Sequence, residues 1–387
     1  MVKIILSMIV KNESKIIERC IRSVLPIIDG ISICDTGSTD NTVEILNNII
    51  QNGIDGQKLP GKIHNHVWKN FGTNRSQSFL ACVDTAKEVG FDLEDTYALL
   101  LDADMKLVIR NDFKKSDLIK DGYLIIQQSP VLSYHNIRFI KLARNWTCVG
   151  VTHEYWACSN MDNVTDKLDT VFIDDVNDGG CKSDKFERDI RLLTQGLEDE
   201  PTNPRYMFYL ANSYHDVGQY ENSIKYYLKR IEAGGWPEEV FYSIYRIGFC
   251  YRGMGQIENA LMWFLKSFNY RPQRIEGLFE IANFHRQNQE YNSAYMFLKR
   301  AEAAGWPKDD MLFIRKDIYE LLIDFELSIC CFYVHPFGNT DKKSLMKEGF
   351  AACLKILSKR DIPEPIRALT QGNIKFYKDA LGLNGPS

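Results

Sequence analysis

Residues 3–10, KIILSMIV, make an apolar run of strand length, and the polar stretch KNES follows at once. Beyond Ser14 the period changes: Ile16, Ile17, Cys20, Ile21, Val24 and Leu25 fall on one helical stripe. GISICD at 30–35 predicts a second strand. TGSTDNTVEILNNII predicts a turn feeding a second helix, with Asn41 and Glu44 at capping-box spacing. GQKLPGKIHNHVW reads as a loop entering a third strand. LLLDADMKL at 99–107 ends a buried strand whose apolar run starts at Tyr97. Strands alternating with helices up to about residue 180 predict a parallel three-layer α/β sheet. Such sheets take ligands at the carboxyl ends of their strands. Asn12, Glu13, Asp35, Asp102 and Asp104 all stand at such ends.

From about residue 186 the pattern is helical and repeats. YLKRIEAGGWPEEVF (227–241) returns as FLKRAEAAGWPKDDMLF (297–313), with Trp236 and Trp306 70 residues apart, or two units of about 35. The intervening unit carries Gly248, Tyr251, Ala260 and Phe264 in the same small, aromatic, small, bulky order as Ala211, Tyr214, Ser223, Tyr227 and as Ala282, His285, Ala294, Leu298. Helix pairs of this length with small residues at the crossing resemble the tetratricopeptide repeat. Apolar helical stretches at 312–334 and 343–358 predict a fourth, degenerate unit, and DIPEPIRALTQGNIKFYKDAL a capping helix. The abundant aromatics, and Cys330–Cys331, read as core between helices.

Composition changes this picture little. The chain of 387 residues is 45% hydrophobic and 25% charged, ordinary for a globular protein. Its 47 basic and 51 acidic side chains give a net charge of −4, no general attraction for nucleic acid or anionic membranes. Ten cysteines without a C-x-x-C pair point to neither a zinc nor a redox site, and the expected compartment is cytoplasmic. MVKIILSMIV reads as a core strand in preference to a signal peptide, and no apolar run approaches the ~20 residues of a membrane span. The sequons at Asn12, Asn74, Asn145 and Asn163 matter only in a secreted protein.

Asp102 and Asp104 end a leucine-rich strand as the one D-x-D of the chain. In an extended chain both would face the same side, about 6–7 Å apart, where two acids either repel or share a positive charge. No G-x-G-x-x-G follows the first strand and no Walker-type loop exists, so dinucleotide and P-loop chemistry are set aside. No Ser, Cys or His stands in a nucleophile elbow. A nucleoside diphosphate needs a cation, and Mg2+ or Mn2+ prefers carboxylate oxygen. His64 and His66 lack further residues to complete a ligand set.

LSMIVKNES, DTGSTDNT, FGTNRSQS and LLLDADM, in this order, resemble a family 2 glycosyltransferase of GT-A fold over residues 1–185. The segment from DGGCKSDKF onward resembles the subgroup in which that domain runs into tetratricopeptide repeats, here 186–387. The resemblance implies that the end of the first strand (Val10, Asn12, Glu13) and Asp35 hold base and ribose. It implies that Arg75 lines the nucleotide pocket, that Asp102 and Ala103 approach ribose and diphosphate, and that Asp104 ligates Mn2+ or Mg2+. WTCVGVTHEYW carries His153 and Glu154, with Glu154 as the base that inversion requires. Relatives often place a histidine near IDDVNDGG. This chain offers Asp174, Asp175 or Asp178 there, and Asp175 is taken as the third ligand. Lys182, with Lys185, is placed toward the donor phosphates, and Trp68 and Phe71 at the pocket edge.

The expected function is thus an inverting, metal-dependent transferase moving sugar from a nucleotide-sugar, with a UDP-sugar as the expected donor, to a hydroxyl of a protein, peptide or glycan acceptor. The repeats would hold the acceptor, a partner or a second copy. The competing reading is a repeat scaffold with an inactive nucleotide-binding domain. A nucleotidyltransferase is the weaker third, since VKNESK is not its glycine- and basic-rich loop.

Overall fold

β1 (Lys3–Val10) lies at the centre of the first domain because its side chains are apolar on both faces: Ile4, Ile5 and Leu6 are fully buried. It is followed by α1 (Ile17–Val24), β2 (Gly30–Asp35), α2 (Thr42–Asn52), β3 (Gly61–Asn65), α3 (Phe71–Glu88), β4 (Thr96–Leu100) and β5 (Met105–Ile109). Then come β6 (Gly122–Gln128), β7 (Ser133–Lys141), the β8 (Trp146–Val149)–β9 (Tyr155–Cys158) hairpin, β10 (Asp166–Asp175) and α4 (Lys185–Asp199). The structure, a computed structural model, describes residues 1–128, 133–160, 164–176, 178–179, 185–338 and 340–383. It divides into two units, Met1–Asp199 and Glu200–Ser387. α4, read from sequence as the head of the second domain, thus belongs to the first unit.

Eight strands form one sheet in the order β3-β2-β1-β4-β7-β6-β10-β5. The first four are parallel, as the alternation of strand and helix predicts. The expectation of a parallel sheet fails beyond β4: β7 runs antiparallel to β4, β6 to β7 and β5 to β10. Among the described residues no α-helix intervenes from β4 to β10, so the alternation that builds parallel neighbours stops there. β6 and β7 are successive antiparallel strands, β4–β7 and β5–β10 pair across longer separations, and β10 runs parallel to β6. The sheet is mixed. One local reading is also corrected. Asn41 makes no side-chain cap on α2, where Asp40 Oδ1 instead accepts from the Thr42 amide at 3.1 Å. His64 lies on β3 itself, its Nε2 3.0 Å from Thr85 Oγ1.

The second unit is helical: α5 (Pro204–Asp216), α6 (Tyr220–Ala233), α7 (Pro237–Gly253), α8 (Ile257–Tyr270), α9 (Glu276–Gln287), α10 (Tyr291–Ala304), α11 (Ile323–Tyr333), α12 (Lys342–Leu357) and α13 (Glu364–Ala380). Small residues stand where helices cross, as the repeat pattern requires. A Cβ on Gly248 would lie 2.5 Å from the Phe264 ring, and one on Gly277 2.4 Å from the Phe264 carbonyl oxygen. Cys330 and Cys331 are fully buried. The second GWP segment departs from the first. Pro237 opens α7, but the chain after Pro307 stays irregular until a wide helical turn, Ile318–Leu322, leads into α11. The helix expected from residue 312 therefore starts later.

Candidate functional site

The polar residues after β1 and β2 are one another's partners. Thr36 donates its amide and hydroxyl to the Val10 carbonyl, at 2.9 and 3.0 Å. The Asn12 amide donates to Ser38 Oγ, and Asn12 Oδ1 accepts from the Thr39 amide at 2.7 Å. Glu13 and Ser14 amides donate to Thr42 Oγ1 and Asp40 Oδ2. Burial opposes ionisation of Asp40, but the hydrogen bonds from Ser14 and Thr42 outweigh it and hold its pKa at about 2. Asp35, 6% exposed, folds back to accept from the amides of Gly37 and Ser38. Gly37 takes φ +104°, which favours glycine. Two strand ends are thereby welded into one wall.

α3 supplies the opposite wall. Asn70 caps it through the Thr73 amide, and fully buried Asn74 accepts from the Lys69 amide and donates to the Val67 carbonyl, fixing the loop that carries Trp68. The first amides of the helix, Phe71 and Gly72, donate to the Val151 and Gly150 carbonyls at the tip of the β8–β9 hairpin. A Cβ on Gly72 would lie 2.3 Å from the Gly150 oxygen, so only glycine lets the hairpin approach. One turn on, Arg75 meets that tip: its Nε donates to Glu154 Oε1 at 2.7 Å and its Nη2 to Asp102 Oδ1 at 2.8 Å. Burial works against the Arg75 charge, yet Asp102 and Glu154 more than offset it and raise its pKa.

Asp102 and Asp104 do not lie in an extended strand. The Met105 amide donates to the Asp102 carbonyl at 3.0 Å, closing a turn between β4 and β5. The turn separates the two carboxylates by task. Asp102 faces Arg75 and, at 4.0 Å, Arg138. Asp104 lines the cavity beside Gly179, where a Cβ would come 3.1 Å from its Oδ2. Asp175 ends β10 opposite Met105 and accepts from Gln127 Nε2 at 2.8 Å. Asp178 is engaged by Arg19 through two hydrogen bonds of 2.7 and 2.6 Å, and Asp174 lies opposite Lys106 in the ladder. No group of three or more His, Cys, Asp or Glu side chains gathers as a cation site among the described residues. A Mg2+-type ion held between substrate phosphates needs only one or two protein carboxylates. Asp104 and Asp175, which both line the cavity, are carboxylates of the kind that requirement asks for.

These elements enclose a cavity of about 570 Å3. Val10, Glu13, Arg75, Asp102, Ala103, Asp104 and Asp175 line it, as do Trp68 and Phe71. Asn12, Asp35, His153 and Glu154 are not among its lining residues. Asn12 and Asp35 shape the wall from behind. Glu154 stands behind Arg75, and His153, at φ +50° on the hairpin tip, lies 3.8 Å from Asp189 of α4. Lys182 is outside the described residues.

Sequence reasoning missed Arg138 and, on α4, Arg188 and Arg191. Arg138, 7% exposed, donates to Gln127 Oε1 at 2.6 Å and to the Leu100 carbonyl at 3.3 Å, linking Asp102 to Asp175 through Gln127. Burial pushes its pKa down, against the attraction of Asp102. A lone arginine inside the alternating apolar strand IRFI was the available signal. Arg188 and Arg191 line the cavity with Lys185, and Arg188 lies 5.3 Å over the Phe71 ring.

Residues 6–107 match the family model for glycosyl transferase family 2. Residues 204–233 and 241–274 match the tetratricopeptide repeat. No curated protein matches the chain. Among solved structures it is similar to YrrB, described as a TPR protein with an unusual peptide-binding site, at 13% identity and TM-score 0.36 over 50% of this chain and 85% of that one. The C-terminal part of a repeat-containing protein from Cytophaga hutchinsonii aligns at 14% identity and TM-score 0.37 over 52% and 74% of the two chains. A MamA RS-1 double mutant aligns at 13% and TM-score 0.28 over 31% and 66%. No helix of the described residues is long and apolar enough to cross a membrane.

Proposed function

With a glycosyl transferase family 2 domain followed by tetratricopeptide repeats as the premise, we propose that this chain is an inverting glycosyltransferase that uses a nucleotide-sugar, with UDP-sugars the first donors to test. The observation that carries the proposal is the convergence, on one cavity at the strand ends, of Asp102, Asp104 and Arg75, with Glu154 on the far side of Arg75. Acids alone would repel a diphosphate; acids that share a cation, beside a buried arginine, can take one up.

In this reading Val10, Glu13 and Thr36 contact the nucleoside, Asp35 and Asn12 hold that wall in shape, and Lys185, Arg188 and Arg191 face the phosphates. Asp104 and Asp175 would hold Mn2+ or Mg2+, which when bound offsets charge on the departing diphosphate. Glu154 takes the proton of the acceptor hydroxyl as that oxygen bonds the anomeric carbon. The bond from that carbon to the phosphate oxygen breaks on the opposite face, and its electron pair leaves with the nucleoside diphosphate. Because Arg75 engages Glu154 here, the donor phosphates must draw Arg75 away before the base can act. The repeats hold the acceptor or a protein partner.

The test is a screen of the purified protein against UDP- and GDP-sugars with Mn2+, reading release of the free nucleotide. Turnover with one donor supports the proposal. Nucleotide binding without turnover under any donor would replace it with the scaffold reading.

A further inference from the structure

The connection between α10 and the wide turn Ile318–Leu322 that leads into α11 spans 13 residues (305–317), against three and five for the equivalent α6–α7 and α8–α9 connections. Its sequence repeats the words that open α7, yet it forms no helix there. It runs as irregular turns and bends past the N-terminal ends of α7 and α9, and its Phe313 ring reaches Phe208 of α5. The Met311 and Leu312 amides both donate to Glu238 Oε2, at 2.7 and 2.6 Å. Arg274 donates to the Leu312 and Phe313 carbonyls, at 3.2 and 3.5 Å. Arg271 grips the Asp310 carboxylate with bonds of 2.6 and 2.5 Å. The Phe313 ring packs 4.9 Å from Tyr242 and 6.5 Å, nearly parallel, from Phe208.

These contacts are of the kind that recognise a non-helical peptide, with the peptide here continuous with its receptor. Two main-chain donors go to a carboxylate and two acceptors to a guanidinium. One acidic side chain meets a second guanidinium, and one aromatic enters an aromatic socket. The receiving groups are built into the repeats: Glu238 is 5% exposed and Arg274 1%. Arg274 is held in turn by Glu276 at 2.7–3.1 Å. Two side chains of the occupant are less buried than its receptor. Phe313 adopts φ +47°, a costly conformation for a bulky residue, and stays 50% exposed, with Met311 at 79%. A connection that served only to join two helices would need neither the strained phenylalanine nor the paired reading of its backbone.

We propose that Phe208, Glu238, Tyr242, Arg271 and Arg274 form a peptide-binding site occupied in cis by Asp310–Phe313, and that its external ligand is a segment of a protein partner with an acidic residue three positions before an aromatic. The site is independent of the nucleotide cavity. A tethered occupant competes at an effective concentration of about 1 mM, so a free peptide binds the wild type poorly, and a partner must be concentrated or itself anchored to displace it.

The probe is a fluorescein-labelled peptide, KDDMLFIRK, which copies residues 308–316, titrated against the full chain. Wild type gives a weak, non-saturating signal. Phe313→Ala, a change at a half-exposed side chain, binds the peptide at least tenfold more tightly, and Asp310→Ala/Phe313→Ala more tightly still. Peptides with alanine in place of the second aspartate or of the phenylalanine lose that gain. Thermal melts with and without peptide cover a double variant that folds poorly, since an occupied site raises its Tm. No gain in folded Phe313→Ala, or equal binding of the alanine peptides, overturns the proposal.

Discussion

Arg75 holds Glu154 and Asp102 at once, at 2.7 and 2.8 Å, so one guanidinium ties the hairpin tip to the D-x-D turn. All three side chains are largely withdrawn from water, at 15%, 17% and 27% exposure. Removing the cation leaves two carboxylates facing each other in a poor solvent. Removing Glu154's charge leaves Asp102 to compensate the guanidinium, while an amide oxygen in its place can still accept from Nε.

That asymmetry sets the first prediction. Glu154→Gln keeps an oxygen for Arg75 Nε, so the fold and nucleotide affinity should change little while kcat falls about 10²–10⁴-fold, the usual worth of a general base. Arg75→Ala should instead destabilise the domain and weaken UDP or GDP binding, by about 1.5–3 kcal/mol for lost charge-assisted hydrogen bonds. Steady-state kinetics and calorimetry separate the two. Equal losses of kcat and nucleotide affinity in Glu154→Gln would remove Glu154 from the chemistry.

The cation assignment is tested at Asp104 and Gly179. Asp104→Asn should abolish most turnover without changing the melting temperature, and EDTA should do the same to wild type reversibly. Gly179→Ala puts a methyl 3.1 Å from Asp104 Oδ2, so the carboxylate must shift by a few tenths of an ångström. More Mn2+ should then be needed for half-maximal rate. Full activity in EDTA would sink the assignment.

In the repeats, Gly277→Ala should cost about 1–3 kcal/mol, the usual penalty of overpacking. Its Cβ would meet the Phe264 carbonyl oxygen at 2.4 Å and Ser267 Oγ at 2.4 Å, and the carbonyl cannot rotate away. Gly372→Ala, with nothing within 4 Å, is the control and should be neutral or slightly stabilising, as expected for alanine in a helix. Chemical denaturation of both variants reads the difference.

Asp189 links stability to pH. Burial raises its carboxyl pKa, with the Thr152 hydrogen bond and the charges of Arg188 and Lys185 opposing. A raised pKa means that the folded state keeps the proton longer than the unfolded chain. The stabilisation is complete below the ordinary carboxylate value of about 4 and is lost as pH rises through the folded pKa. Asp189→Asn preserves an acceptor for Thr152 and removes the titration. Its Tm should exceed that of wild type at pH 7, and the gap should close toward pH 4. A gap that does not vary with pH would show that Asp189 does not titrate in this range.

The sequence by itself determined the central strands, the helical repeats and the place of Asp102 and Asp104 just after a buried strand, because each is written locally; the turn they form was not. Apolar runs of strand length predict β1, β2 and β4, and small residues at a spacing near 35 predict helix crossings such as Gly248 on Phe264. The mutual wiring of KNES with DTGSTDNT was legible only as two polar motifs. What the tertiary structure decided was partnership. The antiparallel half of the sheet depends on which strands find one another, and no local period encodes that. Arg138 is a single charge in an apolar strand until β6 and the strand-end turn bring Gln127 and Asp102 to it. Glu154 and Arg75 are 79 residues apart, and their meeting depends on Gly72 admitting the hairpin. The sharpest case is the repeated GWP segment. In one copy Pro237 starts a helix; in the other, Glu238 and Arg274 capture the backbone that would have formed one. Nearly the same residues take different conformations because hydrogen bonds from distant side chains outweigh local helix propensity.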